Sequence, residues 1–110
     1  MKLTLTEQIL LLAIWRLNEN ATGFTVRQHF YEMTGRDVAF GTIYNNMDQL
    51  IRKGFAVTFK GEAVSVRGGR AKRFYRLTEL GIQALEYSQA LQNRLWEGIP
   101  AGAFSKKDVS

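Results

Sequence analysis

Thr42, Asn45, Asn46 and Gln49 stand at spacings that gather them along one side of a helix, and each is a short polar side chain able to read a hydrogen-bonding edge. An asparagine or glutamine amide sets a donor beside an acceptor, the arrangement that pairs bidentately with adenine, and a threonine methyl suits thymine. Just downstream the composition changes. Residues 51–76 hold Arg52, Lys53, Lys60, Arg67, Arg70, Lys72, Arg73 and Arg76 against Glu62 alone, whereas the segments before and after each carry one more acid than base. The chain's formal charge is +5, so the whole excess lies in this stretch. Such a run is commonly a solvated face, but it is also what a polyanion attracts.

Other chemistry is excluded by what the sequence lacks. There is no cysteine, which removes a disulfide framework, a thiolate metal site and a cysteine nucleophile, and suits a reducing compartment. The single histidine, His29, cannot build a multi-histidine metal site or a Ser-His-Asp triad, and is expected as a surface or boundary residue. The carboxylates are dispersed and no glycine loop has phosphate-binding spacing. No catalytic residue, metal ligand or cofactor is therefore expected, and an enzyme is the remote reading.

The elements that must position these residues follow from the patterning. The chain has 110 residues, 45% of them hydrophobic and 23% charged, which is ordinary for one globular domain. The apolar run Ile9–Trp15 is far shorter than the roughly 20 residues needed to span a bilayer. Glu7 and Asn18-Glu19-Asn20 do not fit a signal peptide, so a cytoplasmic protein is expected. Thr4 or Thr6 should cap a first helix reaching about Leu17, with Glu7 at capping-box spacing. Thr22 should cap a second, through about Met33, with Val26, Phe30 and Met33 inward and Gly35 ending it. A third helix opens at Phe40 and Gly41 and closes at Gly54, with Ile43, Met47, Leu50 and Ile51 as its core stripe. Phe55–Phe59 alternates as a strand with its bulky residues on one side, and Lys72–Leu77 is its natural partner. Gly61, Gly68 and Gly69 lie in the tip between them. Thr78 caps a last helix with the stripe Leu80, Ala84, Tyr87, Leu91 and Leu95, stopped by Gly98 and Pro100.

The predicted fold is mainly α with a small β-hairpin: a winged helix-turn-helix over residues 1–98, followed by a flexible tail over 99–110. In that architecture the third helix enters the major groove of DNA and the hairpin lies along the neighbouring backbone. The basic excess begins at the end of the third helix and continues through the hairpin, on the two elements that would face the duplex.

At Gly41-Thr42-Ile43-Tyr44, followed by Leu50 and Gly54, the sequence resembles the PadR family of bacterial transcriptional regulators. A second block, Gly68-Gly69-Arg70-Ala71-Lys72-Arg73-Phe74-Tyr75-Arg76-Leu77-Thr78-Glu79-Leu80-Gly81, resembles that family's wing and the start of its last helix. The spacer Thr34–Phe40 also fits, so the resemblance covers roughly residues 5–90. It departs at Ala39, where many relatives have a hydroxyl residue, and in lacking the long second C-terminal domain of larger members. The first departure leaves the third helix less well capped; the second restricts where an effector could bind.

The resemblance implies a dimeric repressor-type DNA-binding protein whose first and last helices (about 4–17 and 79–97) form the interface. Residues 9–15 are apolar all round, which independently suggests burial on two sides. The expected interface residues are Leu10, Ile14, Trp15, Leu85, Leu91, Leu95 and Trp96; the bland alternative makes the first helix simply a central core helix. Opposite the third helix's core stripe, Thr42, Asn45 and Gln49, with Asn46 at the edge of that face, are the base-reading candidates. Backbone candidates are Tyr44, Arg52, Lys53, Arg67, Arg70, Lys72 and Arg73, with Arg67 and Arg70 favoured because adjacent strand residues Lys72 and Arg73 point oppositely. Tyr44 resembles the family tyrosine, its ring expected to be packed and its hydroxyl directed at phosphate. The expected partner is double-stranded DNA with a pseudo-palindromic operator. Short relatives can bind flat aromatic compounds in a pore between subunits, which makes Trp15 and Trp96 candidate effector contacts, with plain interface packing preferred. The rival reading is a winged-helix adaptor for protein interaction without specific DNA binding.

Overall fold

The computed structural model describes residues 2–61 and 72–104. Helix α1 (Leu5–Leu17) starts at a complete capping box: the Glu7 amide donates to Thr4 Oγ1 at 3.1 Å, and the Thr4 amide to Glu7 Oε1 at 3.0 Å. A 3-10 turn (Asn18–Asn20) leads to α2 (Gly23–Thr34), capped by Thr22 and closed by Gly35 at a left-handed φ of 72°. Helix α3 (Phe40–Arg52) has Ala39 at its N-cap and no side-chain cap. Arg27 of α2 braces the preceding turn instead, donating from Nε to the Val38 carbonyl at 2.6 Å and from Nη2 to Asp37 Oδ1 at 2.9 Å. Strands β1 (Ala56–Lys60) and β2 (Arg73–Leu77) pair antiparallel, from Ala56 opposite Leu77 to Lys60 opposite Arg73. Helix α4 (Glu79–Trp96) starts at Thr78, whose hydroxyl accepts the Gly81 amide. Helix, helix, helix, hairpin, helix is the order expected of a winged helix.

One apolar cluster holds these elements together, with α1 through its middle: Leu10, Leu11, Ala13 and Ile14 meet Val26 and Phe30 of α2, Ile43, Met47 and Leu50 of α3, Tyr75 of β2 and Ala84 of α4. Burying each large aliphatic side chain contributes about 1.5–3 kcal/mol. Leu10 and Ile14, expected at a subunit interface, are 0% and 2% exposed within the single chain. They have no surface left to offer a partner, because α1 spends that side of itself on its own core.

Three further expectations shift. Met33 is exposed rather than inward, lying one turn past Phe30 where α2 leaves the core. Strand β1 begins at Ala56, since the Phe55 amide closes the end of α3 by donating to the Leu50 carbonyl at 2.9 Å. Its inward face accordingly carries Ala56, while bulky Val57 is exposed. On α4 the packed residues are Gly81, Ala84 and Ser88; Leu80, Tyr87, Leu91 and Leu95 are exposed. Gly81 explains the exchange. It lies against the Phe55 carbonyl with no room for a Cβ, so α4 approaches through its small residues and its large ones point away. Beyond α4 the chain turns, with the Ala103 amide donating to the Pro100 carbonyl at 3.1 Å and Phe104 edge-on to Trp96. Among the described residues no helix is long and apolar enough to cross a membrane.

Candidate nucleic-acid interface

Helix α3 is divided cleanly between core and solvent. Ile43, Met47 and Leu50 are buried, and on the other side Thr42, Asn45, Gln49 and Arg52 are all exposed. Asn46 differs from its neighbours: it is half-buried, and its Nδ2 donates to the Thr42 carbonyl at 2.8 Å. Its amide is turned onto its own helix and leaves Oδ1 as the group free to face outward.

Lys53, expected at the backbone of a nucleic acid, instead forms an ion pair from Nζ to Glu7 Oε2 at 2.6 Å. Glu7 itself is buried. Burial pushes its carboxyl pKa up, but the Lys53 ammonium and the Thr4 amide outweigh that and hold it below its ordinary value of 4.5. The Lys53 ammonium is thus paired with Glu7 although its side chain stays 42% exposed, and Arg52 is a second exposed cation at this end of α3.

Tyr44 connects α3 to the rest of the surface. Its ring stacks on Phe40 at 6.2 Å, and Phe40 stacks on Phe24 at 6.3 Å. Its hydroxyl end covers Gly23 so closely that a Cβ there would lie 2.5 Å from Tyr44 Oη. Between Tyr44, the start of α2 and the base of the hairpin lies an open cleft of about 530 Å³, bordered also by Lys72, Arg73 and Tyr75. Lys72 and Arg73 both border it, although alternation sets strand neighbours on opposite sides. Lys72 precedes β2 and escapes that rule. Arg67 and Arg70, with Gly68 and Gly69, lie outside the described residues.

Sequence reasoning passed over Lys60, which the register sets opposite Arg73 on the same face of the hairpin as Tyr75. A correct register was the signal needed to find it. It also passed over Arg27, whose guanidinium lies 4.4 Å above the Phe40 ring while bracing the turn before α3. Among the described residues no three His, Asp or Glu side chains gather where they could hold a metal ion.

A second surface is apolar. Trp15 and Leu95 are each 65% exposed, and Leu12, Tyr87, Leu91 and Trp96 are exposed with them. A hollow of about 510 Å³ between α1 and α4 is bordered by Leu12, Trp15, Ile82 and the half-buried Leu85. Trp96 is not on it. Gln92 near the end of α4 bonds Gln8 near the start of α1, so the two tryptophans sit towards opposite ends of this helix pair within one chain.

The model of the PadR-like transcriptional regulator family matches residues 11–87, which take in α2, α3, both strands and the first half of α4. The chain belongs to the PadR-like family of transcriptional regulators. No curated protein matches it. Among solved structures, this PadR-like chain is similar to H. salinarum RosR, with a TM-score of 0.70 and 21% identity over 90% of this chain and 82% of that one. A PadR family transcriptional regulator from Eggerthella lenta gives a TM-score of 0.65 and 21% identity over 86% and 80% of the two chains. A PadR-like transcriptional regulator from Bacillus cereus gives 0.61 and 20%, over 84% and 92%. At these identities the likeness establishes the winged-helix fold. The PadR-like match spans the whole of α3 and the hairpin.

Proposed function

We propose that this regulator binds double-stranded DNA as a two-fold symmetric homodimer and represses the promoter it occupies. Helix α3 enters the major groove, where Thr42, Asn45 and Gln49 meet base edges and Asn46 contributes through Oδ1. Tyr44, Arg52, Lys72 and Arg73 meet phosphates, together with Arg67 and Arg70 from the sequence between the two strands. The observation that carries this reading is the continuity of the surface. The exposed polar face of α3 runs through Tyr44 into a cleft bordered by Lys72 and Arg73. An adaptor for protein interaction has no need of cations on both elements.

Selection of duplexes from a random pool, followed by footprinting, tests it. The expected product is a pseudo-palindrome with half-sites about 34 Å apart, bound with an affinity that falls steeply with salt. Recovery of no preferred duplex, or a salt-independent affinity, would favour the adaptor. The exposed residues of α1 and α4, including Trp15, Leu91, Leu95 and Trp96, are assigned to the dimer interface together with the half-buried Leu85. The hollow beside Trp15 supports a second role there, stacking of a flat aromatic effector. Saturable quenching of tryptophan fluorescence by planar aromatics would distinguish that role from packing alone.

A further inference from the structure

The cleft beside Tyr44 holds donors that reading α3 and the hairpin does not use. One wall is the start of α2. There the Thr22 hydroxyl accepts the Thr25 amide and the Thr22 carbonyl accepts the Val26 amide, while the Gly23 and Phe24 amides have no acceptor among the described residues. They form the positive end of a twelve-residue helix. Tyr44 packs where a side chain at position 23 would be, so its phenol covers the Gly23 backbone on that side and has to move before a ligand reaches it. Tyr75, 1% exposed, also borders the cleft, and its Oη makes no well-formed hydrogen bond among the described residues, although the Arg73 side chain lies near enough to act on it. A buried hydroxyl left unpaired costs stability, and such a group calls for an explanation in a native fold. Arg73 and Lys72 also border the cleft, with Asn20, Thr25 and Phe74. Burial holds the Tyr75 phenol above its ordinary pKa, with Tyr44 and Asp48 acting in the same sense and Arg73 against them.

The amides, the Tyr75 phenol and the cations can all donate to one ligand that accepts, and the hydroxyls of Thr22 and Thr25 beside them can donate as well. We propose that this cleft is a seat for one phosphodiester group of the DNA backbone per subunit, bound by the first amides of α2 and by Tyr75 Oη, with Arg73 as its counter-charge. Tyr44, exposed at the rim, is the side chain that turns aside to admit the oxygen. This inference rests on the DNA-binding reading and adds α2 and a core tyrosine to the contact surface. Unlike a lysine on a hairpin, fixed amides and a buried hydroxyl demand one position of the phosphate, so the site sets the register of the duplex against α3.

Tyr75→Phe removes one oxygen and no packing atom. Fluorescence anisotropy with the selected duplex should show affinity falling roughly tenfold, the loss expected of a hydrogen bond to a charged group. The melting temperature should hold or rise, because an unpaired buried hydroxyl has gone. A series of duplexes, each with a single neutral methylphosphonate, should contain one position per half-site that weakens the wild type by a similar factor and leaves Tyr75→Phe unaffected. Equal affinity of Tyr75→Phe and wild type, with no methylphosphonate position separating them, overturns the inference and leaves DNA binding standing. Inorganic phosphate that raises the melting temperature of the wild type alone, with no sensitive position in the duplex, would make this a free-phosphate site and overturn it equally. Failure of the wild type to bind any duplex overturns the reading beneath it.

Discussion

Lys53 Nζ lies 2.6 Å from Glu7 Oε2, joining the residue that ends α3 to the first turn of α1 across 46 positions of sequence. The same carboxylate accepts the Thr4 amide, so one buried acid both caps α1 and anchors the far end of α3. The pair ties the C-terminal end of α3 to the start of α1.

Glu7→Gln keeps an acceptor for Thr4 but sets a neutral amide against the ammonium, and should cost about 1–3 kcal/mol at neutral pH. The carboxyl is held below its ordinary 4.5 in the folded chain, so it binds its proton more weakly folded than unfolded. Its stabilisation is therefore complete above that value and is lost as pH falls through the lowered one. Urea unfolding at pH 7 should separate wild type from Glu7→Gln, and at pH 3 the two curves should draw together. A gap that persists or widens in acid would show that the carboxylate charge is not what stabilises.

Neighbouring cations should part company. Arg52→Ala, on an exposed side chain, should change stability by less than about 0.5 kcal/mol, while the slope of log affinity against log salt falls by about one for each phosphate no longer neutralised. Lys53→Ala strands a buried carboxylate and should destabilise the fold, yet leave that slope unaltered once compared under conditions where the protein is folded. Parallel melting curves and salt titrations on both variants decide the matter.

How far the sequence could be read depended on the range of the interaction. Caps are local, so Thr4 with Glu7, Thr22 and Gly35 marked the helix ends correctly from neighbouring residues alone. The core stripe of α3 was legible for the same reason. Size misled where backbones meet closely: Val57 and Leu95 are large and exposed, whereas Ala56 and Gly81 are small and buried; of the stripe expected on α4, only Ala84 is buried. Hydrophobic periodicity weighs bulk and does not register the approach of Gly81 to the Phe55 carbonyl. At the candidate site, Thr42, Asn45 and Gln49 followed from helical geometry, but the ion pair that withdraws Lys53 joins residues distant in sequence and has no local signature. Lys60 escaped because its place depends on hairpin register.

Gly81→Ala offers a direct test of that close approach. Alanine is the better helix former by about 1 kcal/mol, so propensity alone predicts a gain. The added Cβ meets the Phe55 carbonyl, a backbone atom that cannot rotate away, so α4 must lift from the end of β1. Overpacking of this kind costs about 1–3 kcal/mol, and the net result should be a less stable domain. A rise in melting temperature would mean that α4 is not seated on Phe55 as described.

The apolar side of α4 should decide the oligomeric state. Residues 89–97 are all exposed in the single chain, and Leu91, Leu95 and Trp96 are among them. Contiguous apolar surface of this kind marks an association site, and a two-fold pair would bury it against its own copy. Leu95→Glu touches no core atom and sets like charges against each other across such an interface. It should therefore convert a dimer to a folded monomer in sedimentation velocity while leaving the circular dichroism spectrum intact. Affinity for a full operator should fall to that for one half-site, because the second α3 is no longer tethered. Leu10→Ala should behave oppositely: Leu10 is wholly buried within the chain, so it costs about 2–5 kcal/mol of stability and leaves the association surface in place. A wild-type chain that sediments as a monomer at micromolar concentration, or a Leu95→Glu variant that remains dimeric, would remove α4 from the interface.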